Sequence, residues 1–251
     1  MNIARLCLPI ATLAALLLAV PGSLSPALAQ IYVIESSAPD IKVGAQLAKT
    51  DRVSIPAGAS IRAVLPSGKT QTVSGPYSGS VADLSKGQDL NEGVVGWLKT
   101  IMQTGGASEA TPGATRSVGA AALRSAPRFS WSNVPTSIDG SVCVGKDAQL
   151  QLARARVPVA QRVAVVDIDS AARGEAEWPA NADLVAWPVG IAVRAGGGYL
   201  LLVDGRPRRQ LKLEVLDKLP ADDDLLTELQ KRGCRYQFEA FVREKLVGAK
   251  N

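Results

Sequence analysis

Short β-prone runs, each cut off within a few residues by glycine or proline, restrict this chain more than any other feature. The sequence holds 23 glycines and 15 prolines, and many short strands at such spacing predict a sandwich or barrel rather than βαβ units. Ile31-Tyr32-Val33-Ile34 and Val53-Ser54-Ile55 read as strands. Ile61 to Leu65 and Thr70 to Val73 flank Pro66-Ser67-Gly68 as a hairpin, and Pro56-Ala57-Gly58 and Gly75-Pro76 supply further turns. The result is a small β unit near the lower size limit for independent folding.

Asp89 is placed to cap a helix with Glu92 three residues on, and Leu90, Val94, Trp97, Leu98, Ile101 and Met102 share one face at helical spacing. This helix is expected to end near Gly105 and to pack its apolar stripe on the β unit. From residue 104 to 127 the sequence turns to Gly, Ala, Ser, Thr and Pro, the composition of a flexible linker. The expected organisation is therefore a signal segment over 1–29, a β unit with an amphipathic helix over 30–103, a linker over 104–127, and a β-sandwich-like domain over 128–251. The fold class expected is mainly β, with a C-terminal helical tail.

Within the last segment, Ser141 to Val144, Leu150 to Ala155, Arg162 to Ile168, Val189 to Val193, Tyr199 to Val203 and Leu211 to Leu216 are strand candidates. Asp222 to Asp224 open a helix whose Leu225, Leu226 and Leu229 make an apolar face, the acids suiting the positive end of its dipole. Gly233 ends that helix, and Tyr236 to Val247 forms another with Phe238, Phe241 and Val242 inward.

Arg5, an apolar run from Leu6 to Val20, and Ala27-Leu28-Ala29 are the parts of a signal peptide with cleavage ahead of Gln30. Pro21, Gly22 and Ser23 interrupt the run short of the roughly 20 residues a membrane span needs. No later stretch approaches that length, so no stable membrane insertion is expected after cleavage, and periplasmic or secreted localisation is. Cys7 precedes the cleavage motif and leaves with the signal. Cys143 and Cys234 remain, and in an oxidising compartment two distant cysteines predict a structural disulfide. The net charge of +5 is modest, and its one compact basic run, Arg206, Arg208 and Arg209 around Pro207, reads as an exposed turn. No nucleic-acid partner is expected.

The chain contains no histidine, which removes Ser-His-Asp and Cys-His catalysis, His-ligated metals and the usual acid or base at neutral pH. Neither G-x-S-x-G nor S-x-x-K occurs. Gly68-Lys69-Thr70 imitates the tail of a phosphate-binding loop, but Ala63 stands where that motif needs glycine. Val163 to Asp169 is an apolar strand ending in D-x-D. It resembles the nucleophile motif of haloacid dehalogenase-like phosphatases, which implies Asp167 as nucleophile, Asp169 as general acid, and Mg²⁺ between them. Ala171 stands where that family has Thr or Val, no parallel βαβ pattern follows, and a turn with two solvated carboxylates is the reading preferred. Trp178-Pro179 and Trp187-Pro188 offer indoles that could stack on a glycan, against the commoner role of core filling. No catalytic residue, metal or cofactor is expected.

The run from Lys42-Val43-Gly44 through Asp51-Arg52-Val53, Pro56-Ala57-Gly58-Ala59 and Leu65-Pro66-Ser67-Gly68 to Gly75-Pro76 resembles the β domain of FecR-type periplasmic proteins. The resemblance implies a periplasmic binding or interaction module. A full FecR regulator also carries a cytoplasmic segment and a membrane helix, which are expected to be missing here, so sigma-factor signalling is not implied. The function expected is non-enzymatic binding in the bacterial envelope, with an envelope protein as partner. The alternatives are an Mg-dependent hydrolase on Asp167 and Asp169, and glycan binding through Trp178 and Trp187.

Overall fold

A computed structural model describes residues 30–87, 89–103 and 128–248. The signal segment and the linker lie outside the described residues. The chain is mainly β, with two short helices early and two more at its C-terminal end.

In the first part, β1 (Gln30–Ser36), β2 (Gln46–Ala48), β4 (Ser60–Val64) and β5 (Thr70–Ser74) form a four-stranded antiparallel sheet in the order β2-β1-β4-β5. A two-stranded ribbon of β3 (Arg52–Ile55) and β6 (Tyr77–Ser80) lies beside it. The apolar run of β1 does not alternate with polar residues because both of its faces are covered. Ile31 and Val33 enter a cluster with Val53, Ile55 and Ile61, whereas Tyr32 and Ile34 enter a second cluster on the other side. The Ser80–Asp83 capping box starts the single turn of α1 (Val81–Leu84).

Helix α2 (Glu92–Gln103) is capped by Asn91 rather than Asp89: Asn91 Oδ1 accepts the Val94 N–H at 3.1 Å, and the Asn91 N–H donates to the Pro66 carbonyl. Capping needs the residue one before the first helical position, and Asp89 stands two residues too early. Val94, Leu98 and Ile101 are buried as the stripe predicted, while Leu90 is exposed.

The second part is a two-layer sandwich. One layer is a five-stranded sheet in the order β11 (Arg173–Trp178), β10 (Gln161–Asp167), β13 (Gly198–Val203), β14 (Arg206–Leu216), β8 (Gly140–Gly145). The other is a three-stranded sheet, β12 (Leu184–Ala186), β9 (Gln151–Ala153), β7 (Asn133–Pro135). Pairing is antiparallel except for β14 with β8 and β7 with β9. Between the layers lie Val134, Val142, Val144, Leu152, Val163, Val165, Trp178, Tyr199, Leu201, Leu211 and Leu213. The Tyr199 hydroxyl donates to the Ala192 carbonyl at 2.8 Å and accepts from the Arg194 N–H at 2.9 Å, the corner bond typical of Greek-key sandwiches.

Two sequence expectations give way here. Val189 to Val193 is not a strand: it is a loop held by the Tyr199 bond and by Trp187 Nε1, which donates to the Ile191 carbonyl at 3.0 Å. The run Arg206 to Arg209 is not a turn but the start of β14. The turn precedes it at Asp204-Gly205, whose φ values of 51° and 76° are those a tight hairpin with the right strand twist needs.

Helix α3 (Leu225–Lys231) ends in a Schellman motif: Gly233, at φ 72°, donates to the Gln230 carbonyl, and Cys234 donates to that of Leu229. Helix α4 (Arg235–Gly248) follows at once. The acids before α3 serve the first part more than the helix dipole. Asp224 makes no capping bond, Lys69 Nζ lies 3.1 Å from Asp224, Arg62 reaches toward Asp222 and Asp223, and the Thr70 N–H donates to the Asp223 carbonyl.

A third cluster joins the two parts. Tyr32, Ile34, Val64, Val94, Leu98 and Ile101 meet Cys143, Leu216, Leu225, Leu226, Leu229, Phe238, Phe241 and Val242, and Trp97 packs edge-on to Phe238 at 5.2 Å. The Cys143–Cys234 disulfide lies in this cluster, with both cysteines fully buried and Cα atoms 5.6 Å apart. Cys143 points away from the sandwich core that its neighbours Val142 and Val144 fill. Among the described residues no helix is long and apolar enough to cross a membrane.

Candidate interaction surface

The carboxylates of the D-x-D segment close a turn around an arginine. Asp167 is buried, and its Oδ1 accepts the N–H groups of Asp169 at 3.0 Å and Ser170 at 3.3 Å. Arg194 Nη2 lies 2.5 Å from Asp167 Oδ1 and 2.9 Å from Asp169 Oδ2. Burial alone would push the Asp167 carboxyl up, but the two amides and the guanidinium outweigh it and hold the group below the usual carboxylate range. A cation between the two acids would have to displace Arg194, and a nucleophile would have to abandon three donors. Among the described residues no cluster of three metal-ligating side chains occurs.

Trp178 is placed in the core, which corrects the glycan-stacking alternative at that residue, and Trp187 packs at the core's edge. Trp178 is 1% exposed, with the Arg154 guanidinium 4.5 Å over its ring. Trp187 is half-buried, edge-on to Tyr199 at 5.3 Å and tied by its N–H to the Ile191 carbonyl. Trp178 offers no free face of the kind a sugar ring stacks on. Gly68-Lys69-Thr70 is the β4–β5 hairpin: Gly68 sits at φ 85°, where a Cβ would also lie 2.9 Å from Thr227 and Val94 side chains, and Lys69 and Thr70 face the acids before α3.

Among the described residues, the outer face of the five-stranded sheet is only partly covered. Strand residues alternate between faces, so while Val163, Val165 and Leu201 fill the sandwich, Ala164, Val166, Leu200 and Leu202 point the other way. None of the four belongs to the three core clusters; Val166, Leu200 and Leu202 are half-buried, and Ala164 between them is buried. Ala164 pairs across the strands with Leu202, and Val166 with Leu200, so they form two apolar rows. Ile168, 46% exposed, extends the strip over Gly198, whose Cβ would lie 3.3 Å from it. Charge rims the strip: Arg173 and Glu175 pair at 2.7 Å on β11, and Lys212 and Glu214 at 2.7 Å on β14. The helices cover the β8 side of the same face, where Cys143 and Leu216 belong to the joint cluster.

The sequence carried a signal for this face that strand assignment passed over. Arg162 to Ile168 and Tyr199 to Val203 are apolar at outward as well as inward positions, the pattern of strands covered on both sides. Strand β11 itself went unassigned because its outward residues Arg173, Glu175 and Glu177 are charged and Gly174 stands among its inward ones.

A cleft of about 300 Å³ lies at the start of α4, lined by Ser137, Asp139, Arg209, Arg235, Tyr236 and Glu239. Its charges are already matched within the protein: Arg209 lies 3.3 Å from Asp139, and buried Glu239 holds Arg235 and Arg243, each at 2.9 Å. No family model matches this chain, and no curated protein or solved structure matches it significantly.

Proposed function

We propose that this chain is an exported, non-enzymatic interaction protein of the bacterial envelope, working in the periplasm or outside the cell and holding a protein partner through the outer face of its five-stranded sheet. The observation that carries the reading is the pair of apolar rows, Ala164–Leu202 and Val166–Leu200, which sit outside every core cluster. Apolar side chains ordered on a flat face and bordered by charge are the composition of an interface centre and its rim. Export is supported by the Ala27-Leu28-Ala29 site and by a disulfide that suits an oxidising compartment. The glycine turns at Gly44, Gly58 and Gly68, all at positive φ, are in keeping with a FecR-like β module in the first part.

The test is affinity capture of the mature protein from its envelope fraction, run beside Leu200→Lys. A partner retained by the native protein and lost by the variant is expected. A partner held equally by both would remove the sheet face from the reading. N-terminal sequencing of the exported protein is expected to begin at Gln30.

A further inference from the structure

We propose that the occupant of this face is a second copy of the chain, packed sheet to sheet about a two-fold axis. The inference rests on the interaction reading above and adds the identity of the partner. It comes from the register of three strands. Ala164 stands beside Leu202 on one side and Glu175 on the other, and Val166 stands beside Leu200 and Arg173. The face therefore carries two equivalent rows, Glu175-Ala164-Leu202 and Arg173-Val166-Leu200, acid at the head of one and base at the head of the other.

A two-fold axis lying in the interface, across the strands and midway between the rows, lays each row on the other row of the second copy. Leu202 then meets Leu200, Val166 comes over the buried Ala164, and Glu175 of each copy meets Arg173 of the other. An isologous interface must be self-complementary in this way, since each residue and its counterpart are used twice. An axis parallel to the strands would set Glu175 over Pro207 instead, with no match of charge. Both Arg173 and Glu175 keep nearly half of their side chains exposed and pair only with each other within the chain, so the exchange between copies costs little desolvation.

Strand spacing and residue rise give this four-strand area roughly 400 Å² per copy. A stable interface covers about 800 Å² per partner. The dimer is consequently a weak one.

Sedimentation equilibrium of the mature protein up to about 500 μM tests this. A monomer–dimer equilibrium is expected, abolished by Leu200→Lys. The decisive arm uses surface charge alone, where folding is not at risk. Glu175→Arg sets arginine against arginine across the axis and Arg173→Glu sets glutamate against glutamate, so each variant is expected to dimerise about tenfold less well or worse. Mixed one to one, they are expected to recover the association, and the double variant Arg173→Glu with Glu175→Arg to dimerise like the native chain. A chain monomeric throughout the range overturns the proposal, as does a dimer indifferent to Leu200→Lys or to both charge variants. Should the chain be monomeric while Leu200→Lys still loses a captured envelope protein, the self-association fails and the interaction surface stands.

Discussion

The sandwich core and the joint core are built from different kinds of sequence. The sandwich cluster draws every residue from 134–213, on strands that mostly pair with close neighbours in the chain. The joint cluster collects β1, β4 and α2 from the first part with β8, the end of β14 and both terminal helices from the second. Their polar atoms differ too. Of the buried side-chain atoms without a hydrogen-bond partner among the described residues, Trp178 Nε1 belongs to the sandwich, while Arg62 Nε, Thr227 Oγ1, Tyr236 Oη, Gln237 Oε1 and Arg243 Nε lie on the elements that make or border the joint. The core of short-range strand pairs leaves fewer polar groups unmatched than the one assembled from far-apart segments, which is the place where the fold should yield first.

The largest expected effect breaks the comparison directly. Phe238 is fully buried in the joint and Leu201 fully buried in the sandwich, and truncating either to alanine should cost about 3–5 and 2–5 kcal/mol respectively. Hydrogen exchange should then separate them. Phe238→Ala is expected to lower protection in β1 and α2 as well as α4, and Leu201→Ala in β10, β13 and β14. Equal loss everywhere in both variants would mean that the two cores are one cooperative unit.

Removing the disulfide sharpens the same contrast. It closes a separation of 91 residues, which corresponds to about 4.6 kcal/mol in the chain-entropy account. Cys143→Ser with Cys234→Ser should lower the melting temperature and loosen α3 and α4 more than the sandwich. Because Cys143 shares a cluster with Tyr32, Ile34 and Val94, the first part is expected to lose protection at those positions. Unchanged protection there would show that it stands alone.

How much of this was legible depended on whether the responsible contact was local. Alternation and turn residues marked β3, β4, β5, β8, β10 and β13, and helical spacing marked α2, α3 and α4 with their buried residues. The pairing of Cys143 with Cys234 followed from compartment and count. Strand β11 was hidden because its outward residues are charged and Gly174 stands among its inward ones. Val189 to Val193 misled because an apolar run can equally be a loop, anchored in this case by Ile191 and the Tyr199 hydroxyl. The acids at 222–224 were misjudged because their partners, Arg62 and Lys69, are chosen by tertiary structure. The outer face could have been inferred from Ala164, Val166, Leu200 and Leu202, apolar at the outward positions of two neighbouring strands.

On the sandwich side, a smaller effect depends on pH. The Asp167 carboxyl is held below the usual range, so its contribution is fully present above the unfolded pKa of about 4 and is lost as pH falls through the folded value. Asp167→Asn keeps one acceptor and loses the charge that Arg194 grips. The native protein is therefore expected to be the more stable at pH 7, with the difference shrinking below about pH 4. A difference that persists undiminished in acid would assign it to packing rather than to charge. If Asp167 has no chemical role, any partner capture should survive this substitution, whereas phosphate-ester turnover with Mg²⁺ that the variant lacks would restore the hydrolase reading.

The smallest effect lies at the edge of the joint. The Tyr236 hydroxyl is buried without a partner in the protein, and burial pushes its pKa up to about 12, with Arg243 pulling weakly the other way. An unfolded tyrosine releases its proton near pH 10, so the folded chain binds the proton more tightly between about pH 10 and pH 12. The contribution of the neutral phenol is thus complete below pH 10 and is lost as pH rises through that window. Tyr236→Phe removes both the orphaned hydroxyl and this dependence. At pH 8 the variant is expected to be neutral or more stable by about 1 kcal/mol, since a buried donor without a partner costs that much or more. At pH 11 its advantage in urea unfolding should widen, because only the native chain is drawn toward the unfolded state by ionisation. A variant less stable than the native protein at pH 8 would show that the hydroxyl is satisfied in solution, and that the joint is better matched than its list of orphaned atoms implies.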